Sequence, residues 1–263
     1  MSICRKLNVN YAYYLDTAML DCVESFNDLG ITVTTNLSWF NNIKSISAKA
    51  HSLLGMIKRS ISFDAPSSVK LQLYLSHVRS ILEYCSPLWS PAHVSDILRL
   101  ERVQRLATKY ILNDYTALSY TEICVKLSIL PLCYRREIID LSLFYKYLHK
   151  EINCDLSSHI EIVNSLPGLR SAFKGLLLKL PKVKTSTHLS SYFCRLVHLW
   201  NALPRDIREA NSLYSFKKYI NQLYFSKLNN LSTVYVEHHL YVWHMSQLIC
   251  VICHLYIYIK LFL

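Results

Sequence analysis

The chain has 263 residues, enough for one large or two small domains with a real buried core. Only 4 glycines and 7 prolines among 52% hydrophobic residues exclude a fibrous or disordered chain and favour ordered helix. Lys and Arg outnumber Asp and Glu by 29 to 18, a net charge of +11, which suits a polyanionic partner such as nucleic acid or an acidic membrane surface.

An ordinary soluble basic protein carries the same charge, so the balance alone does not choose a partner. From Ser226 onward the charged residues are Lys227, Glu237 and Lys260, so nearly all of the excess belongs to the preceding body. Nine cysteines are an odd number, and the opening MSICRKLNVNYAYY has no apolar signal region. Buried, reduced thiols in a nuclear or cytoplasmic protein are expected.

Residues 1–12 show no clear pattern. Between Tyr13 and Val33, YYLDTAML and VESF read as short strands, broken by Asn27, Asp28 and Gly30. Asn36–Ser38 can cap a helix running to about Ser60, with Leu53, Leu54 and Ile57 inward. Asp64–Pro66 is a turn, and Ser67 caps a helix with Leu71, Tyr74, Leu75, Val78 and Leu82 on one face. Ser86-Pro87 and Ser90-Pro91 bracket Leu88-Trp89, because the residue before a proline resists helix. Trp89 there either stacks a base or plugs the core beneath the turn, and Trp200 beside Asn201 has the same two readings.

Ser95 is the expected cap of the next helix. On it Arg99, Arg102, Arg105 and Lys109 recur at spacings of three, three and four, while Leu100, Val103, Ala107, Tyr110 and Ile111 form the adjoining apolar side. This cationic ridge is either a phosphate-binding surface or a solvated face paired locally with Asp96 and Glu101. Ser119–Glu122 is a capping box that opens a short helix ending before Pro131. A long helix follows over Arg135–Lys150, then loop over Asn153–Ser165. Leu176–Thr187 reads as an edge strand interrupted by Pro181. Its Lys179, Lys182 and Lys184 either reach a nucleic-acid backbone or guard the open edge. His188–Trp200 is amphipathic, and Ser212 caps a last helix with Leu213, Phe216, Ile220 and Leu223 in phase.

Five segments, in this order, carry a family resemblance: FNDLGITVTTNLSW (Phe26–Trp39), AKAHSLLGMIKR (Ala48–Arg59), LEYCSPLWSP (Leu82–Pro91), LERVQRLATKYI (Leu100–Ile111) and LWNALPRDIREANSLYSF (Leu199–Phe216). Together they resemble the end of the palm, the thumb and the carboxy-terminal region of reverse transcriptases from non-LTR retrotransposons, the jockey-like and neighbouring LINE groups. The resemblance implies a primer-grip position at Leu29 and Gly30, and contact of the ridge with an RNA–DNA template–primer or a DNA duplex. Such polymerases hold Mg2+ on palm carboxylates that include an aromatic-x-Asp-Asp turn before the DLG segment. Here 25 residues precede Phe26 and contain no Asp-Asp pair; Tyr13–Asp16 only echoes the motif. No catalytic residue, metal ligand or cofactor is therefore assigned, and the chain by itself is not expected to polymerise.

The expected fold is mainly α: a thumb-like helical bundle with a short β-hairpin near the N-terminus and a small strand segment near 176–187. In that division 1–40 is a palm remnant, 41–118 the thumb-like region, 119–225 a carboxy-terminal helical domain and 226–263 an apolar tail. Leu240–Ile259 runs twenty residues without Asp, Glu, Lys or Arg, long enough to span a bilayer, though His244, Ser246, Gln247 and His254 weaken insertion. It is either a membrane anchor, the mark of a membrane-associated helical protein, or an unrelated extension of a truncated element. A reading frame with no selected function is a third reading. Cys250, Cys253 and His254 fit C-x-x-C-H literally, and chance explains the match better than haem or zinc.

Overall fold

The structure is a computed structural model that describes residues 12–114, 118–153, 156, 159–163, 177–183 and 185–230; across them the protein is mainly α, with short antiparallel strand pairs. Where the sequence offers one broken hairpin, two separate hairpins form. The first joins β1 (Tyr14–Leu15) to β2 (Ala18–Met19), and the second joins β3 (Ser25–Asp28) to β4 (Ile31–Thr34). The second turns through Leu29 at φ 47° and Gly30 at φ 83°, the two left-handed residues of a turn that matches strand twist. Asn27 Oδ1 accepts from the Gly30 N–H at 3.0 Å, and the Tyr84 hydroxyl donates to the Leu29 carbonyl at 3.0 Å. β3 is exposed throughout, whereas Ile31 and Thr34 of β4 are buried.

Helix α1 (Phe40–Ser60) packs against β4 and buries Ile43, Ala50, Leu54 and Ile57. Its Asn42 accepts the outward N–H of Thr32 at 3.1 Å, so the helix closes that strand edge. Helix α2 (Ser67–Leu73) runs through a π turn at Tyr74–Val78 into α3 (Arg79–Glu83). Tyr74, Val78 and Leu82, four residues apart, are all buried along it. A single helical turn, α4 (Ser86–Trp89), follows Cys85 in left-handed conformation, and α5 (Val94–Leu112) comes next. Ser67 and Ser95 do not cap as expected. Pro66 and His93 hold those positions with no side-chain bond, and the serines sit inside the first turn.

Helix α6 (Tyr120–Lys126) opens on the expected capping box: Ser119 Oγ accepts from Glu122 N–H at 3.3 Å, and Glu122 accepts from Ser119 N–H at 2.7 Å. Helix α7 (Leu132–Leu148) leads to β5 (Ile162–Val163), which pairs with β6 (Leu177–Leu178). The strand β5 lies within the stretch expected to be loop, and the strand near 176–187 shrinks to two residues. Asn201 covers the outer edge of β6, taking the Leu178 N–H at 2.9 Å and its carbonyl at 2.8 Å. Helices α8 (Ser186–Leu189), α9 (Tyr192–Asn201), α10 (Arg205–Arg208) and α11 (Leu213–Asn230) complete the body. Ser212 Oγ accepts from Ser215 N–H at 3.1 Å, as a cap of α11 should.

Two buried clusters hold these elements. The first packs α1, α2, α3 and α5 with Trp89; the second packs α7, α9 and α11. In the second, Trp200 meets Phe144 edge-on at 4.8 Å and Phe216 stacks on Tyr145 at 4.3 Å, while the Tyr145 hydroxyl donates to the Ala210 carbonyl at 2.6 Å. Both tryptophans are therefore core plugs. Leu71, Leu75 and Leu127 pack against both clusters. Polar ties cross between them as well. Arg135 meets Glu83 with two bonds of 2.9 Å, and Arg195 donates to the Pro87 carbonyl at 3.0 Å while pairing with Asp140 at 3.3 Å. Burial pushes the Asp140 carboxyl up to about 6, against the pull of Arg195 and Arg136.

Cys124 and Cys194 are buried free thiols, as expected, but Cys22 and Cys85 are exposed because they sit on the hairpin connection and the left-handed turn. Among the described residues no helix is long and apolar enough to cross a membrane. Leu240–Ile259, Cys250, Cys253, His254 and Lys184 lie outside the described residues.

Candidate nucleic-acid interface

The arginine helix α5 buries Leu100, Val103, Ala107, Tyr110 and Ile111, and this fixes the opposite side outward. Arg102 and Lys109, seven residues apart, form the outward crest; Arg102 is exposed and Lys109 half-buried. Arg99 is exposed and leans toward α1, its guanidinium 5.5 Å from the Phe40 ring centre. Arg105 leans the other way and lies half-buried, 4.9 Å from the Tyr120 ring centre. The four cations thus share one helix but divide between its two flanks. Three of them, Arg99, Arg102 and Lys109, make up its outward charge. Along the helix they cover about 15 Å at the usual rise per residue.

The carboxylates expected to neutralise this ridge are elsewhere. Asp96 is buried, and Glu101 is only 2% exposed. Glu101 accepts from the Tyr120 hydroxyl at 2.6 Å and from the backbone N–H groups of Leu132 and Cys133 at 3.2 and 2.7 Å. It therefore caps the start of α7 instead of pairing with arginine. Among the described residues, no carboxylate lies within ion-pair distance of Arg99, Arg102 or Lys109.

Helix α1 sets a second row of side chains beside this surface. Phe40, His51 and Lys58 fall along one line of it, because eleven and eighteen residues are close to whole numbers of helical turns of about 3.6 residues. That line tracks α5: Phe40 meets Arg99, His51 feels the charge of Arg102, and the Lys58 ammonium lies 5.4 Å from the Tyr110 ring centre. The two helices consequently run side by side in the same direction. Buried Lys70 of α2 supports Tyr110 from 4.8 Å, with its ammonium bonded to the Phe63 carbonyl at 2.6 Å and Asn113 Oδ1 at 2.8 Å. Burial lowers the pKa of His51, and Arg102 and Lys58 lower it further. The row on α1 was missed in the sequence; the signal for it was the seven-residue step from His51 to Lys58 on a helix already expected there.

The remaining candidates among the described residues lie on other elements. Leu29 and Gly30 form the tip of the second hairpin, with the Leu29 side chain 84% exposed. Residues 12–43 contain Asp16, Asp21, Glu24 and Asp28 and no Lys or Arg, so a phosphate would meet repulsion near that hairpin and attraction along α1 and α5. Lys182 is exposed on the segment after β6, which packs on α9, and the neighbouring Lys179 is paired with Glu161 at 2.7 Å. Asp16 is exposed in the β1–β2 turn. Among the described residues no group of three His, Cys, Asp or Glu side chains is placed to hold a metal ion. Comparison of the chain with protein-family models, with curated proteins and with solved structures returns no match in any of the three.

Proposed function

We propose that the face formed by α1 and α5 grips the sugar-phosphate backbone of an RNA–DNA or DNA duplex, as the thumb region of a non-LTR retrotransposon reverse transcriptase would. The observation that carries this reading is the outward set of Arg99, Arg102 and Lys109, bordered by His51 and Lys58, from which Glu101 and Asp96 are turned away into the core. Contacts of this kind are independent of base sequence and supply affinity through charge. In this reading the chain contributes grip and no bond-making chemistry. The test is fluorescence anisotropy of a labelled RNA–DNA duplex. Changing Arg99, Arg102 and Lys109 together to alanine is expected to weaken binding about tenfold or more near 0.1 M salt, with the helical spectrum unchanged. Unaltered affinity would refute the assignment.

His51 gives the interface a pH signature. Burial first, then Arg102 and Lys58, disfavours its protonated form in the free protein. A phosphate bound beside Arg102 cancels that repulsion, so binding takes up a proton. Duplex affinity should therefore rise as pH falls from 8 to 6, and His51→Gln should remove that part of the rise. Without ligand the sign reverses. The unfolded chain takes up the proton first as pH drops through the ordinary histidine range, so acidification weakens the His51 contribution to folding. Titrations of both proteins at the two pH values check the prediction, and an equal pH dependence would count against it.

A further inference from the structure

The flank of α5 that faces away from α1 borders a groove of about 500 Å³, lined by Arg102, Arg105, Lys109, Leu98, Leu106 and Tyr120 among others. Its size is within the range of sites that hold small organic ligands, roughly 300–1,000 Å³. Its chemistry is divided. Arg102 and Lys109 belong to the outward crest, and Leu98, Leu106, Leu118 and Ile123 beside them supply apolar wall. At one side the planar Arg105 guanidinium lies over Tyr120, and Tyr120 is fixed through its hydroxyl to the buried Glu101 carboxylate. A free phosphate would use only the crest, and a purely apolar ligand would leave the Arg102 and Lys109 crest unanswered. A ligand with an anionic edge and a flat, weakly polar body uses both.

Resting on the duplex-grip reading, we infer that this groove receives an unpaired terminal nucleotide of the strand whose phosphates lie on the crest. The base enters against Leu98, Leu106 and the Arg105–Tyr120 pair, while its phosphate stays between Arg102 and Lys109. Unpaired bases are recognised this way because every base has a face that can stack on an aromatic ring or a guanidinium plane. The groove thereby distinguishes a duplex with an overhang from a blunt one, although the ridge itself binds both.

The experiment compares three RNA–DNA duplexes of equal paired length: blunt, with one 2-aminopurine overhanging at a 3′ end, and with one overhanging at a 5′ end. One of the overhanging duplexes is expected to bind about tenfold more tightly than the blunt one, the order expected for a single stacked base, with the 2-aminopurine emission quenched. Leu98→Ala with Leu106→Ala, at partly exposed positions, should abolish that preference and leave blunt-duplex affinity unchanged. Should the double variant fold poorly, Leu106→Ala alone should reduce the preference. Equal binding of all three duplexes by the wild-type protein would overturn the inference while leaving the ridge intact. Binding of none would overturn the ridge and the groove together.

Discussion

Glu101→Ala is expected to lower the unfolding free energy by about 3 kcal/mol or more, because three donors lose their acceptor in a buried place. The carboxylate accepts from the Tyr120 hydroxyl and from the Leu132 and Cys133 N–H groups. Two of those are opening amides of α7, so the negative charge also sits favourably at the positive end of a helix. One side chain on α5 thereby fixes α6 through Tyr120 and α7 through its first turn. Glu101→Gln keeps the shape and an acceptor but loses the charge, and should cost about 1–2 kcal/mol. Urea midpoints for the three proteins measure the order wild type, glutamine, alanine. An alanine variant as stable as the wild type would mean that Glu101 does not join these helices.

Trp89→Ala should be comparably damaging, at about 3–5 kcal/mol, since it empties a large volume in the first core. The indole is 0% exposed, and its N–H donates to the Tyr84 carbonyl at 2.8 Å. Tyr84 in turn holds the hairpin tip through the Leu29 carbonyl, so loosening this turn should also free the second hairpin. Trp89→Phe fills most of the space and loses the single hydrogen bond, for about 1–2 kcal/mol. Thermal unfolding separates the two variants. Duplex affinity of the folded phenylalanine variant should match wild type, because a ring sealed in the core cannot stack a base. A marked loss of binding at full stability would return Trp89 to the nucleic-acid surface.

The periodic parts of this fold were legible in the sequence because burial repeats with the helical turn. Leu100, Val103, Ala107, Tyr110 and Ile111 could be placed inward from spacing alone, and Ser119 with Glu122 announced a helix start. What spacing cannot show is which way a charged residue turns when its neighbours compete. Glu101 stands between Arg99 and Arg105 in the chain, yet it faces the start of α7, 31 and 32 residues downstream, where N–H groups need an acceptor. The two-residue strand at Ile162–Val163 depends on Leu177–Leu178 and on Asn201, so no local pattern marks it. The π turn was hidden for a similar reason, since Tyr74, Val78 and Leu82 fit an ordinary apolar stripe equally well. At the candidate site, one row of cations could be read on α5, but its alignment with His51 and Lys58 required the packing of α1 beside it.

The most direct measurement is the slope of log affinity against log salt for an RNA–DNA duplex, taken for the wild-type chain and for the Arg99, Arg102, Lys109 triple alanine variant. Each lost phosphate contact removes about 0.7–0.9 from that slope, so the variant should be shallower by about two to three. Parallel lines for the two proteins would show that these side chains displace no counterions, and the duplex-gripping face would then be an ordinary solvated surface.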